Sequence, residues 1–435
     1  MRAYLRSLNP DLPRSVWILQ AGGLANAFGN GVVLPFVIIY LHNVRGIPLW
    51  IAGMSAAANA GAGIVSGAVG GALADRFGPR RILMTALVGQ AMVISCFPLI
   101  DTAWHALALQ FAMGAFSGMF WPSQSSLLTA LTPTDRRHAA FAQQRVTMNL
   151  GVGLGGLAGG LIATTSDPGT FTMLFLLDAA TFLTFALVTT RLPSPKPAKH
   201  DGPPGSYRAV LANRPFRTFL VINMLFIAAG IVPLVEFMPV YAKNGAGVSE
   251  DAIGVIFFVN TLFIVLAQLP IAKALEGRRR MPALALMGVT WAATWVVVVL
   301  AVETMGATAA ALVIGGAVVV FAVGECLHGT VQGPLVADLA EPRMMGRYMA
   351  LSSLSWQVGF LLGPALGGAI LDAQPVALWI VCAGICLAGA AWSLRFERTL
   401  PEALRRTPRR DAARAFEGLE TMDAPQVPVQ ATGVE

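Results

Sequence analysis

Gly71-Ala72-Leu73-Ala74-Asp75-Arg76-Phe77-Gly78-Pro79-Arg80-Arg81 is a short charged turn set between two long apolar runs, at about 49–74 and 82–100. Each run exceeds the roughly 20 residues needed to cross a bilayer as a helix. A basic loop joining two such runs is an orientation signal, because Lys and Arg gather on the cytoplasmic side of membrane proteins.

The rest of the chain repeats this pattern. Of its 435 residues, 55 % are hydrophobic and 12 % charged. Soluble domains carry about 25 % charged residues, so a water-soluble fold of this length is excluded. Twelve segments are predicted to span, at about 15–41, 49–74, 82–100, 104–131, 139–165, 170–191, 216–243, 251–275, 282–302, 307–338, 347–372 and 375–395. The first is too long for a signal-peptide core and has no A-x-A site, so it is expected to be retained. The 45 glycines suit closely packed membrane helices.

On this map only Arg45 and Lys243 fall on one side, and the other 28 of the 30 Lys and Arg fall on the opposite side. Both termini are therefore expected in the cytoplasm, with the chain multi-pass in the inner (plasma) membrane. The net charge of +7 is explained by these loops, and no nucleic-acid partner is expected. Cys96, Cys326, Cys382 and Cys386 lie in apolar stretches without zinc-site spacing, so no disulfide, metal or cofactor is expected.

Four regions follow. Residues 1–191 form one six-helix bundle and 216–395 a second. A polar, Pro-rich cytoplasmic linker, 192–215, joins them, and 396–435 is a cytoplasmic tail whose part 401–420 has the composition of a surface helix. The halves overlay with a shift of 201, which pairs Gly29 with Gly230, Tyr40 with Tyr241, Gly53 with Gly254, Asn59 with Asn260 and Asp75 with Glu276. Later the shift grows to 208 or 209 and pairs Gly155 with Gly363. Parallel six-helix repeats are one transporter architecture, with substrate bound between the halves.

The loop Gly71–Arg81 resembles the G-x-L-a-D-R-x-G-r-[RK] signature of the major facilitator superfamily. Gly359, Gly363-Pro364 and Gly367-Gly368 in the eleventh segment match the G-x-x-x-G-P-x-x-G-G pattern of its drug–proton antiporters. The fifth segment, Gly151 to Gly160, keeps the glycines but has Gly156 in place of proline. Gln110 stands where that branch carries an arginine. The resemblance implies an all-α fold of twelve helices in two pseudo-symmetric bundles. It further implies a cavity lined by helices 1, 4, 7 and 10, and a cytoplasmic gate of Gly71, Asp75, Arg76, Gly78, Arg80 and Arg81 docking near Arg347. Glu276 is the weaker mirror element of that gate, facing Arg137. Gly151, Gly155 and Gly159, spaced by four, and Gly363, Pro364 and Gly367 are expected at close helix contacts, whether static or sliding.

Ionisable groups within a span are costly and are functional candidates. Glu325 and His328, three apart on one face, and Glu236 are the proton-coupling candidates. Asp178 is a fourth, with a structural pairing to Thr181 as the favoured alternative. For Glu325 the alternative is a hydrogen-bonded structural carboxyl. Arg145 either reaches the cavity or snorkels to the surface. Asn26, Asn30, Gln110, Trp121 and Gln332 are cavity candidates, with helix–helix hydrogen bonding as the other role for the asparagines.

The function so implied is secondary active transport by a monomer: proton-coupled efflux of hydrophobic or amphipathic small molecules by alternating access. The alternative is a carrier, in either direction, of one specific metabolite. A membrane enzyme would need a converging nucleophile and base, and no G-x-S-x-G, zinc motif or phosphate loop is present. A sensor would need an output domain larger than the 40-residue tail. Reporter fusions at His200, Glu435 and Gly245 test the topology. Cytoplasmic activity is expected at the first two and periplasmic activity at Gly245; periplasmic activity at His200 contradicts the twelve-span map.

Overall fold

A computed structural model of the chain describes residues 12–133, 136–194, 207–341 and 344–407, with the side chains of Asp75, His138, Ala139, Ala142 and Gly346 outside that description. Among the described residues there are twelve long helical segments. They are α1 Arg14–Val44, α2 Leu49–Phe77, α3 Pro79–Leu99, α4 Ala103–Leu131, α5 Arg137–Ile162 and α6 Pro168–Thr190. The second set is α7 Arg214–Ala246, α8 Glu250–Ala274, α9 Arg280–Thr304, α10 Ala307–Leu339, α11 Met345–Ala373 and α12 Pro375–Glu397. Ten of them are long and apolar enough to cross a membrane by length and composition. The other two, α4 and α5, carry Gln110, Ser117, Ser123 and Gln124, and Gln143, Gln144, Arg145 and Asn149, which lower their mean hydropathy.

The turn that opened the sequence reading has a physical basis. Gly78 adopts φ +92°, a conformation that L side chains rarely take, and ends α2. Pro79 then occupies the first position of α3, where its missing N–H costs nothing. Arg80 donates to the carbonyls of Thr189 and Thr190 and so caps the C-terminus of α6.

The packing follows the repeat. In the first half α1 packs on α5 and α6, α2 on α4, and α3 on α4 and α6. In the second half α7 packs on α11 and α12, α8 on α10, and α9 on α10 and α12, the same set advanced by six helices. Between halves the main contacts are α2 with α11 and α5 with α8, which the same operation exchanges. The protein is thus an all-α membrane protein of two pseudo-symmetric six-helix bundles. Within the 192–215 linker the described part includes a short helix, Tyr207–Ala212. Of the 401–420 surface helix, the described part is only the turn Glu402–Leu404, and 408–420 lie outside the described residues.

Each half has an aromatic core. Tyr40, Phe97, Phe171 and Phe175 cluster in the first. In the second, Trp291 stacks on Phe321 at 4.6 Å and Trp295 packs on Trp379. Both α1 and α7 are broken. α1 contains the 3-10 turn Leu34–Phe36 and the π segment Tyr40–Val44. α7 contains the π segments Ile227–Ile231 and Pro233–Phe237. A π segment leaves backbone groups without their usual partners. Here the carbonyl of Ala229 accepts the Trp295 indole N–H at 2.8 Å. Trp295→Phe removes that donor and keeps the ring. The Cys386 thiol, at 3.6 Å, is then the only side-chain donor left to that carbonyl among the described residues. The detergent-purified variant is expected to lose about 1 kcal/mol of stability, read as a lower unfolding midpoint. An unchanged midpoint means that the break in α7 does not depend on the indole.

Candidate functional site

The two halves meet at the end of the bundle away from the termini, here the far end, and part toward the linker end. Glycines allow the contact. A Cβ on Gly254 would lie 2.9 Å from the Cα of Gly160, and one on Gly53 2.9 Å from the Cα of Gly368. Gly53 and Gly254 are repeat partners by the shift of 201, and Gly160 and Gly368 by 208. The glycines of α5 have a second job: Gly151, Gly155 and Gly159 press on the α1 backbone at Leu24, Phe28 and Val32. Gly363 and Gly367 instead make room for the side chains of Val232 and Phe237 of α7, and the Pro364 carbonyl faces Gly53.

Between the halves lies a cavity of about 1160 Å³. It extends from Asn30, Val37 and Glu236 at mid-depth to Ser125 and Tyr207 near the linker end. Its walls are mainly apolar, with Trp121 half exposed in it and Trp356 and Phe360 opposite. The carboxamides of Asn30, Asn59, Gln90, Gln110 and Gln357 also face it. Asp178 and Glu236 line it, and no Lys or Arg does so among the described residues.

Of the sequence candidates, Asn30, Gln110 and Trp121 line the cavity. Asn26 is buried, and its Oδ1 has no partner among the described residues. The Thr181 hydroxyl donates to the Asp178 carboxyl at 3.3 Å and to its backbone carbonyl at 2.8 Å, and Asp178 also borders the cavity beside α1. Glu236 sits within the second π segment of α7, at the repeat position of Pro35 in the break of α1. Glu325 and His328 turn to different neighbours, and neither lines this cavity. Glu325 accepts from Asn260 of α8 at 2.8 Å. His328 donates through Nε2 to Asn223 of α7 at 2.7 Å, and Asn223 passes its own N–H to Ser355 of α11. Gln332 donates to Ser352 of the same helix. Arg145 is exposed and reaches across the halves toward Gly329 of α10, with no ion pair to an acid among the described residues.

At the linker end, the side chain of Asp75 lies outside the described residues. Gly71 has open space around it, Arg76 stacks on Phe77 at 5.1 Å, Arg81 is exposed, and Arg347 is half-buried near the start of α11. Glu276 and Arg137 make no hydrogen bond or ion pair with each other.

One relation escaped the sequence. Asn59 donates to Gln110 at 2.9 Å, from α2 to α4, as Asn260 donates to Glu325 from α8 to α10. The signal was present: Gln110 and Glu325 each stand four residues before a glycine, Gly114 and Gly329. The shift between them, 215, differs from that of the earlier pairs, which hid the match.

A membrane-spanning bundle of two related halves around one cavity is the architecture of a secondary transporter. The sequence profile of the Major Facilitator Superfamily matches residues 21–324 and 237–428, and the chain belongs to that family. Among its relatives is the uncharacterized MFS-type transporter YqjV of Bacillus subtilis, 23 % identical over 388 residues, covering 87 % of this chain and 92 % of the relative. The multidrug resistance protein MdtH of Enterobacter sp. is 25 % identical over 310 residues, covering 70 % and 74 %. In structure the chain is similar to the xylose transporter XylE from E. coli, with TM-score 0.70 and 15 % identity over 88 % of this chain and 95 % of that one. The nucleoside transporter NupG is as similar in shape, with TM-score 0.70 and 14 % identity over 88 % and 99 %. The protein is therefore a membrane transporter and not an enzyme.

Proposed function

We propose that this transporter is a proton-coupled exporter of hydrophobic and amphipathic cations. It acts as a monomer in the inner membrane, with its termini and linker in the cytoplasm. The observation that carries this reading is the charge of the cavity: its walls are largely apolar, and among the described residues its carboxylic acids are Asp178 and Glu236, with no Lys or Arg beside them. Glu236 has no hydrogen-bond partner or ion pair among the described residues. An ionised carboxylate in an apolar enclosure is costly. Either a proton or a cationic substrate relieves that cost, and the two then compete for one site. Competition of this kind gives exchange when the cavity opens alternately to each side. Glu325, held by Asn260 beyond the cavity, remains a second candidate for the proton. The kinship with a multidrug resistance protein agrees with efflux.

Five carboxamides on the same walls favour a second reading, a carrier of one polar metabolite. Proteoliposomes separate the two. With an imposed proton gradient, the parent is expected to concentrate ethidium or tetraphenylphosphonium and to ignore sugars and nucleosides. Glu236→Gln keeps the shape and releases no proton. It is expected to lose gradient-driven accumulation by about tenfold, the scale of a typical coupling energy. Undiminished accumulation by both Glu236→Gln and Asp178→Asn sinks the cavity-acid account. Uptake of one sugar or nucleoside alone supports the second reading.

A further inference from the structure

We propose that the far end of the transporter is held shut by two polar latches and an axial asparagine pair, and that Glu250 is the residue that sets how readily this end opens. The inference rests on the alternating-access reading above.

All three links join one half to the other. The amide of Leu49, at the start of α2, donates to Asp372 Oδ1 of α11 at 3.2 Å. The amide of Thr165, just past α5, donates to Glu250 Oε1 of α8 at 2.8 Å. Lys243 Nζ lies 3.0 Å from the same oxygen. Asn43 donates through Nδ2 to Asn244 Oδ1 at 2.6 Å.

Their placement follows the repeat. Asn43 and Asn244 are separated by 201, so each is the other's repeat partner, and their bond lies on the pseudo-two-fold axis. Leu49 and Glu250 are likewise 201 apart, and Asp372 falls 208 beyond Thr164. Each latch therefore ties the start of α2 or α8 to the end of α11 or α5. In both the acid belongs to the second half, and it sits at the end of α11 in one latch and at the start of α8 in the other, so donor and acceptor are exchanged relative to the repeat.

The chemistry suits a reversible closure. Leu49 is the first residue of its helix, so its amide lacks an intrahelical partner. Thr165 lies in a turn, and its amide too needs an external acceptor. In the closed arrangement carboxylates serve both amides, and on opening water takes their place, so neither state leaves a donor orphaned. The latches are unequal. Asp372 is exposed, so its bond competes with water and is screened. Glu250 is 7 % exposed, with Lys243 and the Thr165 amide converging on one oxygen. Opening must separate Thr165 from Glu250, whereas Lys243 belongs to the same half as Glu250 and can travel with it. Arg45, the other far-end cation, is committed to the Tyr40 hydroxyl and the Pro98 carbonyl.

The test uses a single reporter, Val37→Cys in the cavity, in sealed vesicles exposed at the far-end face to an impermeant maleimide; the parent lacking the reporter sets the blank. Labelling is expected to be fastest in Glu250→Ala, about fivefold or more above the reporter alone, the lower bound of a typical coupling between sites. Glu250→Gln keeps an acceptor for Thr165 and is expected to fall between. Asp372→Ala is expected close to the reporter alone. Labelling of Glu250→Ala at the reporter's own rate overturns the proposal. A second measurement needs no destabilised variant. In Asn43→Cys/Asn244→Cys, oxidation is expected to stop transport and a reductant to restore it. Transport at the parent rate by the cross-linked protein overturns the proposal as well. Failure of the exporter reading has a different signature: the parent itself moves no cation, while the labelling order is unaffected.

Discussion

In hydrocarbon a backbone N–H or C=O without a partner costs several kcal/mol, and that penalty organises this molecule. It forces each span into a helix and allows a break only where other groups take over the freed partners. The first break in α7 satisfies this condition: an indole N–H from α9 reaches the Ala229 carbonyl. The second break in α7 and the 3-10 turn of α1 fall at corresponding places in the repeat. The cavity borders both breaks, and Glu236 lies within one of them. Broken helices at matched positions are a physical pointer to a transport site, because they place polar backbone and side chains where a regular helix would present an apolar surface.

The second constraint is how the halves touch. Few charges are available to glue helices, so contact relies on close backbone approach through small residues. Glycines at Gly53, Gly160, Gly254 and Gly368 bring α2 to α11 and α5 to α8 at one end only. Toward the linker end the same helices diverge around the cavity. A contact confined to one end leaves two rigid bundles able to tilt without repacking their aromatic cores, and the energy of the tilt is set by a few interfacial groups.

Much of this was legible in the sequence. Hydropathy located all twelve helices, and the ends of the second, for example, were expected at 49 and 74 and lie at Leu49 and Phe77. Span length is fixed by the bilayer, and Pro, Gly and basic residues mark the ends, so little is left to tertiary context. The site was harder. Helix spacing puts Asn26 with Asn30 and Gln110 with Trp121, and the family resemblance turns those faces to the cavity, yet Asn30 lines it and Asn26 does not. Glu325 and His328 share a face by the same rule, but one face of α10 borders both α8 and α7, and each side chain takes the nearer partner. Asp178, for which a structural pairing with Thr181 was the favoured alternative, also borders the cavity where Gly29 lets α6 approach α1. Periodicity states which residues are neighbours along a helix. Which helix they face depends on packing that only the folded chain defines.

We propose that the two rigid halves tilt about the cavity between them, so that the far-end contact parts as the linker end closes. Paired spin labels measure this directly, with one pair at the far end on Trp104 and Thr304 and another at the linker end on Phe77 and Arg347. Pulsed dipolar spectroscopy on the protein in nanodiscs, with and without a transported cation at two pH values, should show two distance populations at each end. The account predicts that their weights change in opposition: a longer far-end distance accompanies a shorter linker-end distance. Distances that lengthen together, or a single population at both ends under every condition that supports transport, would contradict it.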